Sequence, residues 1–158
     1  MTRFVLFLAG FVLATVLAAE TKPQGVQRLA VVENVKDYLS SHPGLRAIPL
    51  QRTFTKNARS GNLIRYSLGG RSKYDRLVAE EEQQFKYPNL HDVSVQMTYP
   101  EKGSQGAMIT FVEILAEQSS DIGNAYVVSG GIGQRFISMV VEAKQTQFFE
   151  FDAKVYGQ

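Results

Sequence analysis

The sequence predicts a mainly β protein, an antiparallel β-sandwich or partly open barrel of about seven strands, preceded by one amphipathic N-terminal helix. Two observations carry this expectation. From Leu63 onward apolar residues recur with a period of two, in short runs separated by Gly, Pro, Asn and Ser clusters. Before that point, Val26, Leu29, Ala30, Val32, Val35, Tyr38 and Leu39 are spaced largely three and four apart and end at His42-Pro43-Gly44, a helix stop.

Taken in order, Met1-Thr2-Arg3 is followed by an uncharged apolar run from Phe4 to Ala19 that ends in small residues before Glu20. One basic residue, a short apolar stretch and a small-residue end predict a cleavable secretory signal peptide over residues 1–19. A spanning helix needs about 20 apolar residues with a basic flank or stop-transfer pattern. The expectation is therefore a secreted, extracellular protein with no membrane contact after cleavage. Residues 20–62 read as the helix followed by a basic linker, because Arg46 to Asn62 shows no clean period and holds Pro49 and Ser60-Gly61-Asn62.

Residues 63–158 form the predicted β domain. Ile64, Tyr66 and Leu68 alternate with Arg65 and Ser67, and Gly69-Gly70-Arg71-Ser72 turns the chain into an extended run from Tyr74 to about Glu81. Glu80-Glu81-Glu82 reads as a solvated run after an edge strand. Val93, Val95, Met97 and Tyr99 alternate with Ser94, Gln96 and Thr98, as expected for a strand with one wet and one dry face. Pro100-Glu101-Lys102-Gly103 is a turn before a central strand over Ala107 to Leu115, in which Glu113 reads as a carboxylate near a strand end. Strands over Ala125 to Ser129, Gln134 to Ala143 and Gln147 to Tyr156 follow, the last with Phe149, Phe151, Ala153 and Val155 on one face.

Val127-Val128-Ser129-Gly130-Gly131-Ile132-Gly133 poses a choice between a phosphate-cradling loop and a hairpin bend. A phosphate loop needs a helix after its glycines, so that N-terminal amides point at the anion. Gln134-Arg135-Phe136-Ile137-Ser138-Met139-Val140-Val141 follows instead, rich in β-branched and aromatic residues. Gly130, Gly131 and Gly133 are therefore assigned as structural turn residues that supply positive φ.

No catalytic constellation emerges. With no cysteine and only His42 and His91, thiol nucleophiles are excluded, and no metal-ligand spacing or Gly-x-Ser-x-Gly setting is present. We expect no enzymatic activity, no metal and no cofactor. Charge is uneven: eight basic residues face Asp75 alone between Arg46 and Arg76, whereas from Leu77 onward eleven acidic residues outnumber five basic ones. Acidic and basic elements lying side by side in one fold account for this. An anionic ligand held by Arg59, Arg65, Arg71, Lys73 and Arg76 is the other reading. Tyr66 falls on the apolar face of its strand, away from Arg65, so no direct sequence-specific nucleic-acid binding is expected.

Asp75-Arg76-Leu77-Val78, Ile109 to Ile114, Asp121-Ile122-Gly123-Asn124-Ala125-Tyr126, Ser129 to Gly133 and Val155-Tyr156-Gly157 together resemble the insect multiprotein bridging factor 2 family. The resemblance spans residues 63 to 157. Tyr74, in place of a glycine before Asp-Arg, and Lys144-Gln145-Thr146-Gln147, which lacks the Arg and Gly of the last hairpin, depart from the family pattern. The resemblance implies a non-enzymatic protein that works through an unknown protein partner. Secreted members of salivary or haemolymph type represent one picture. A transcriptional coactivator bridging a DNA-bound factor to the general transcription machinery is the alternative.

Overall fold

The structure is a computed structural model that describes residues 24–25, 27–31, 35–57 and 61–158. The predicted leader, residues 1–19, lies outside these, as does Arg59. The described chain is mainly β: β1 (Gln24–Gly25), β2 (Gln27–Val31), α1 (Val35–Ser41), β3 (Ile48–Pro49), β4 (Gln51–Asn57), β5 (Gly61–Gly69), β6 (Arg76–Tyr99), β7 (Ile109–Gln118), β8 (Gly123–Gly130) and β9 (Ile137–Gly157). Every strand pair is antiparallel except β1 with β6.

Two strands of 24 and 21 residues, β6 and β9, organise the rest. They pair along nearly their whole lengths, from Arg76 opposite Gly157 to Tyr99 opposite Ile137. The register is interrupted between Lys86 and Val93, opposite the segment between Ala143 and Phe148. At this corner the ribbon folds. Pro88 occupies an unpaired stretch, where its missing N–H costs no ladder hydrogen bond, and Gln145 adopts φ +51°. Corners of this kind let one strand serve two layers. The first half of β9 pairs with β8 and the second half with β7. From β7 the sheet continues through β5 to β4, while Ile48–Pro49 pairs with β8 and the Leu50 amide donates to the Ala125 carbonyl at 3.0 Å. The segment β3–β4 thus joins the edges of both layers and draws the sheet toward closure.

Side chains from both layers fill the interior. Val93, Val95, Met97 and Tyr99 of β6 meet Ile137, Met139, Val141, Phe149, Phe151 and Val155 of β9, with Ile64, Tyr66, Val112 and Ile114 from the neighbouring strands. A smaller cluster lies on the outer face, where Val35, Tyr38 and Leu39 of α1 pack against Val128 and Val140. The buried Glu142 carboxylate accepts the Val35 amide at 2.8 Å and so anchors the start of the helix.

Three expectations require correction. Of the predicted helix over Val26 to Ser41, Val35–Ser41 is helical, whereas Gln27–Val31 pairs with β6, because Gln-Arg-Leu-Ala-Val suits a strand as well as a helix and the β6 edge offers unpaired backbone groups. The predicted linker over Arg46 to Asn62 holds β3, β4 and the start of β5. Its missing period reflects a strand whose residues 51–54 are all exposed. Glu80-Glu81-Glu82 lies inside β6, paired with Ala153 and its neighbours, rather than following a strand.

Gln145 is the one non-glycine residue at positive φ among the described residues. Left-handed backbone costs an L-residue roughly 1–2 kcal/mol, part of which is offset by the greater unfolded-state entropy of glycine. Gln145→Gly is therefore expected to stabilise the protein by roughly 0.5–1 kcal/mol, read as a higher urea midpoint with unchanged m-value. A lower midpoint would show that the Gln145 side chain contributes more than the backbone costs.

Candidate interaction surface

The folded ribbon returns both of its ends to the same pole. Three connections gather there: residues 70–75 between β5 and β6, residues 100–108 between β6 and β7, and residues 131–136 between β8 and β9. Backbone hydrogen bonds tie them together. The Ile109 amide donates to Gln134 O and the Gly133 amide to Ile109 O, both at 2.8 Å, while Met108 and Gln158 exchange two bonds of 2.9 and 3.0 Å. Arg135 reaches the Gly106 carbonyl at 3.0 Å, and Gln158 Nε2 donates to Ser72 Oγ at 3.1 Å.

The glycine triplet forms the bend between β8 and β9, and residues 137–157 after it are strand, not helix. Gly130, Gly131 and Gly133 have φ of 71°, 142° and 78°. At Gly130 space is also limiting, because a Cβ would lie 2.2 Å from Phe136 O. Gly130→Ala is expected to cost roughly 2–4 kcal/mol from backbone strain and overpacking combined, whereas Gly131→Ala, whose Cβ meets nothing within 4 Å, carries the backbone cost alone. Equal urea midpoints for the two variants would refute the close approach at Gly130.

Beneath these turns lies a polar cluster centred on Asp75. Its carboxylate is fully covered and accepts the Ser72 amide at 2.8 Å, the Thr110 hydroxyl at 3.0 Å and Arg71 Nε at 3.0 and 3.1 Å. The Arg71 guanidinium also stacks 3.7 Å from the Tyr156 ring centroid. Hydrogen bonding from Arg71, then from the Ser72 amide, holds the Asp75 carboxyl below its usual range, and the same pair raises Arg71.

Of the five basic residues assigned to an anionic ligand, Arg59 lies outside the described residues, and the other four have separate surroundings. Arg65, on β5, is paired with Glu113 of β7. Arg71 is committed to Asp75. Lys73 lies 5.7 Å from the Tyr74 ring centroid, and Arg76 begins β6 opposite Gly157; both are exposed at the loop pole. Glu113 is the ion-pair partner of Arg65, and His91 stacks on Tyr87 at 4.4 Å.

The outward face of the β5–β7–β9–β6 layer was not foreseen. Register places Leu63, Glu117, Glu150 and Gln84 in one row and Arg65, Leu115, Asp152 and Glu82 in the next. The following row holds Ser67, Glu113, Lys154 and Glu80. Lys154 bonds Asp152 and lies 3.2 Å from Glu80, and these carboxylates raise its pKa. A shallow cleft of ≈ 120 Å³ lies between Leu63, Leu115 and Phe151 and is rimmed by Glu82, Glu117, Glu150 and Asp152. Small-molecule sites commonly enclose about 300–1,000 Å³, so this cleft is a dimple in an acidic sheet face.

Fold and surface define a mainly β domain whose exposed chemistry sits on turns and on a sheet face. Residues 68–157 match the family model described as Transcription activator MBF2, and the chain belongs to that family. No curated protein and no solved structure matches the chain. The matched span contains the Asp75 cluster, the glycine turn and the Val155-Tyr156-Gly157 end, which meet at one pole.

The depressed Asp75 pKa gives stability with a definite sign. Its contribution is present above the unfolded-state carboxylate pKa and is lost as pH falls through the lower folded-state value. The stability difference between the wild type and Asp75→Asn, from urea titrations, should be positive at neutral pH and shrink below about pH 4. A difference that grows on acidification would contradict the ion-pair geometry.

Proposed function

We propose that this chain is a secreted, non-enzymatic member of the family that acts by binding a protein partner, in the manner of a salivary or haemolymph protein. The observation that carries the reading is the apolar run Phe4 to Ala19 after a single basic residue and before Glu20. A binding role is supported by the arrangement of the polar groups. Asp75 and Lys154, whose pKa values are displaced, owe the displacement to hydrogen bonds and ion pairs that tie turns and strands together, whereas catalytic groups are displaced within a cleft that admits substrate.

The second reading is a transcriptional coactivator that bridges a DNA-bound factor to the general transcription machinery. The family description, Transcription activator MBF2, favours it. It requires the apolar N-terminus to escape the secretory machinery.

Expression of the full chain in insect cells separates the two. Mass spectrometry should find a mature protein in the medium beginning near Glu20. Recovery from nuclei with an intact or acetylated Met1 would remove the secreted reading and leave the coactivator.

A further inference from the structure

The loop pole exposes more apolar surface than a set of turns requires. Met108 is 46% exposed, Phe136 45%, Ile132 39% and Tyr74 75%. Scattered apolar residues on a surface are ordinary, but these lie on connections bonded to one another. Met108 is joined to Gln158, Gln158 to Ser72 beside Tyr74, and Ile109 to the turn that carries Ile132 and Phe136. A Cβ at Gly69 would lie 2.8 Å from Ile132 Cδ1, which places that side chain against the 69–75 connection as well.

Charge at this pole is one-sided. Residues 70–76, 100–108 and 131–136 carry five basic side chains and two acidic ones, and one of those two, Asp75, is covered and paired with Arg71. Along the sheet face the rows change character in step. The row of Glu117 and Glu150 nearest the corner carries no basic side chain, Arg65 shares the next row with Asp152 and Glu82, Lys154 the row after with Glu113 and Glu80, and Arg76 lies at the pole. The gradient would turn the pole toward a negatively charged surface and the sheet face away from it.

We infer that the loop pole is a peripheral docking surface for an anionic lipid bilayer, with Ile132, Phe136 and Met108 entering the headgroup region and Lys73, Arg76 and Arg135 meeting lipid phosphates and carboxylates. Charge complementarity selects an anionic occupant. A bilayer is favoured over an acidic peptide because the apolar residues lie on turns beyond the strand ends. A peptide is held by a groove or an open strand edge, whereas a fluid interface conforms to protruding side chains. Aromatic and apolar groups beside Lys and Arg are the side-chain set that interfacial contact uses. This contact is peripheral, needs no spanning segment, and departs from the expectation of no membrane contact after leader cleavage. It goes beyond the proposed binding role and holds whether or not the chain is secreted.

The absence of cysteine makes the test local. Gln134→Cys, exposed between Ile132 and Phe136, is labelled with an environment-sensitive fluorophore in the full chain; Leu90→Cys at the opposite corner, 65% exposed, is the control. Vesicles containing phosphatidylserine should raise and blue-shift emission at position 134 and leave position 90 unchanged. Phosphatidylcholine vesicles should do neither, and added salt should weaken the response. Lys73→Ala with Arg76→Ala should lower the partition coefficient about thirtyfold, as expected for loss of two basic residues at an anionic surface. A bilayer contact made by residues 1–19 does not mimic a response confined to position 134. The inference is overturned if position 134 does not respond, if positions 134 and 90 respond alike, or if phosphatidylcholine suffices. It is also overturned if soluble phosphoserine or oligoglutamate reproduces the change without vesicles, which would assign the pole to a free anion or an acidic peptide.

Discussion

The antiparallel pairing of β6 with β9 is the constraint on which the remaining structure depends. A ribbon this long could not bury both halves of its inner face in a flat sheet, because among the described residues the apolar surface that covers one half is the other half and the strands attached to it. Folding at Pro88 and Gln145 solves that problem. Val93, Val95 and Met97 are brought over Phe149, Phe151 and Val155, and a single pair of strands supplies both layers of the core. The corner is secured by local polar contacts. Asp92 accepts the Gln145 amide at 2.8 Å, the Lys144 amide donates to Ile122 O at 2.9 Å, and Thr146 accepts the Ser119 amide at 3.1 Å. With no cysteine in the chain, these bonds and the packing they permit do the work that a disulfide does in many small extracellular domains.

The fold at the corner also determines what lies at the other pole. Because both strands return there, residues far apart in sequence become neighbours: Thr110 bonds Asp75 across 35 positions and Tyr156 O across 46. A covered carboxylate is costly unless its lone pairs are satisfied. Asp75 meets that condition with an amide and a guanidinium from its own connection, Ser72 and Arg71, and the Thr110 hydroxyl of β7. Rigid support of this kind is what allows the neighbouring turns to expose Ile132, Phe136 and Met108 in fixed relation to one another instead of folding them inward.

Legibility in the sequence followed the contrast between faces. Val93 to Tyr99 and Phe149 to Val155 alternate cleanly because one side meets the core and the other meets solvent or charge, and both appear as strands in the structure. Gln51 to Asn57 and Glu80 to Gln84 were not legible as strand interiors, for opposite reasons. The first presents exposed residues on both sides at positions 51–54, and the second carries half-buried Glu81 and Gln83 where an apolar residue would have shown the period. Gln27 to Val31 satisfied two periods at once, and the open edge of β6 decides between them. Of the surface, the glycine bend was legible from the missing helix after it. The Asp75 cluster was not, since register alone brings Thr110 and Tyr156 to it. Its one sequence signal was Asp75 itself, the lone acid in a stretch of eight basic residues.

The same register explains the division of charge along the chain. Part of it is neutralised where the basic and acidic halves meet as neighbouring strands, through Arg65 with Glu113 on β5 and β7. Lys154 performs the equivalent role within the acidic half, between Asp152 and Glu80. What remains is sorted by position along the strands. Basic residues 71, 73 and 76 fall at the turn that starts β6, whereas Glu82, Glu117, Glu150 and Asp152 fall nearer the corner, where three strands, β6, β7 and β9, bring them side by side. Desolvating that acidic group against a negatively charged surface would be opposed by Coulomb repulsion, and the basic turns have no such penalty. A segregation that began as a sequence asymmetry therefore becomes an orientation preference, because the strand register converts order along the chain into distance along one face.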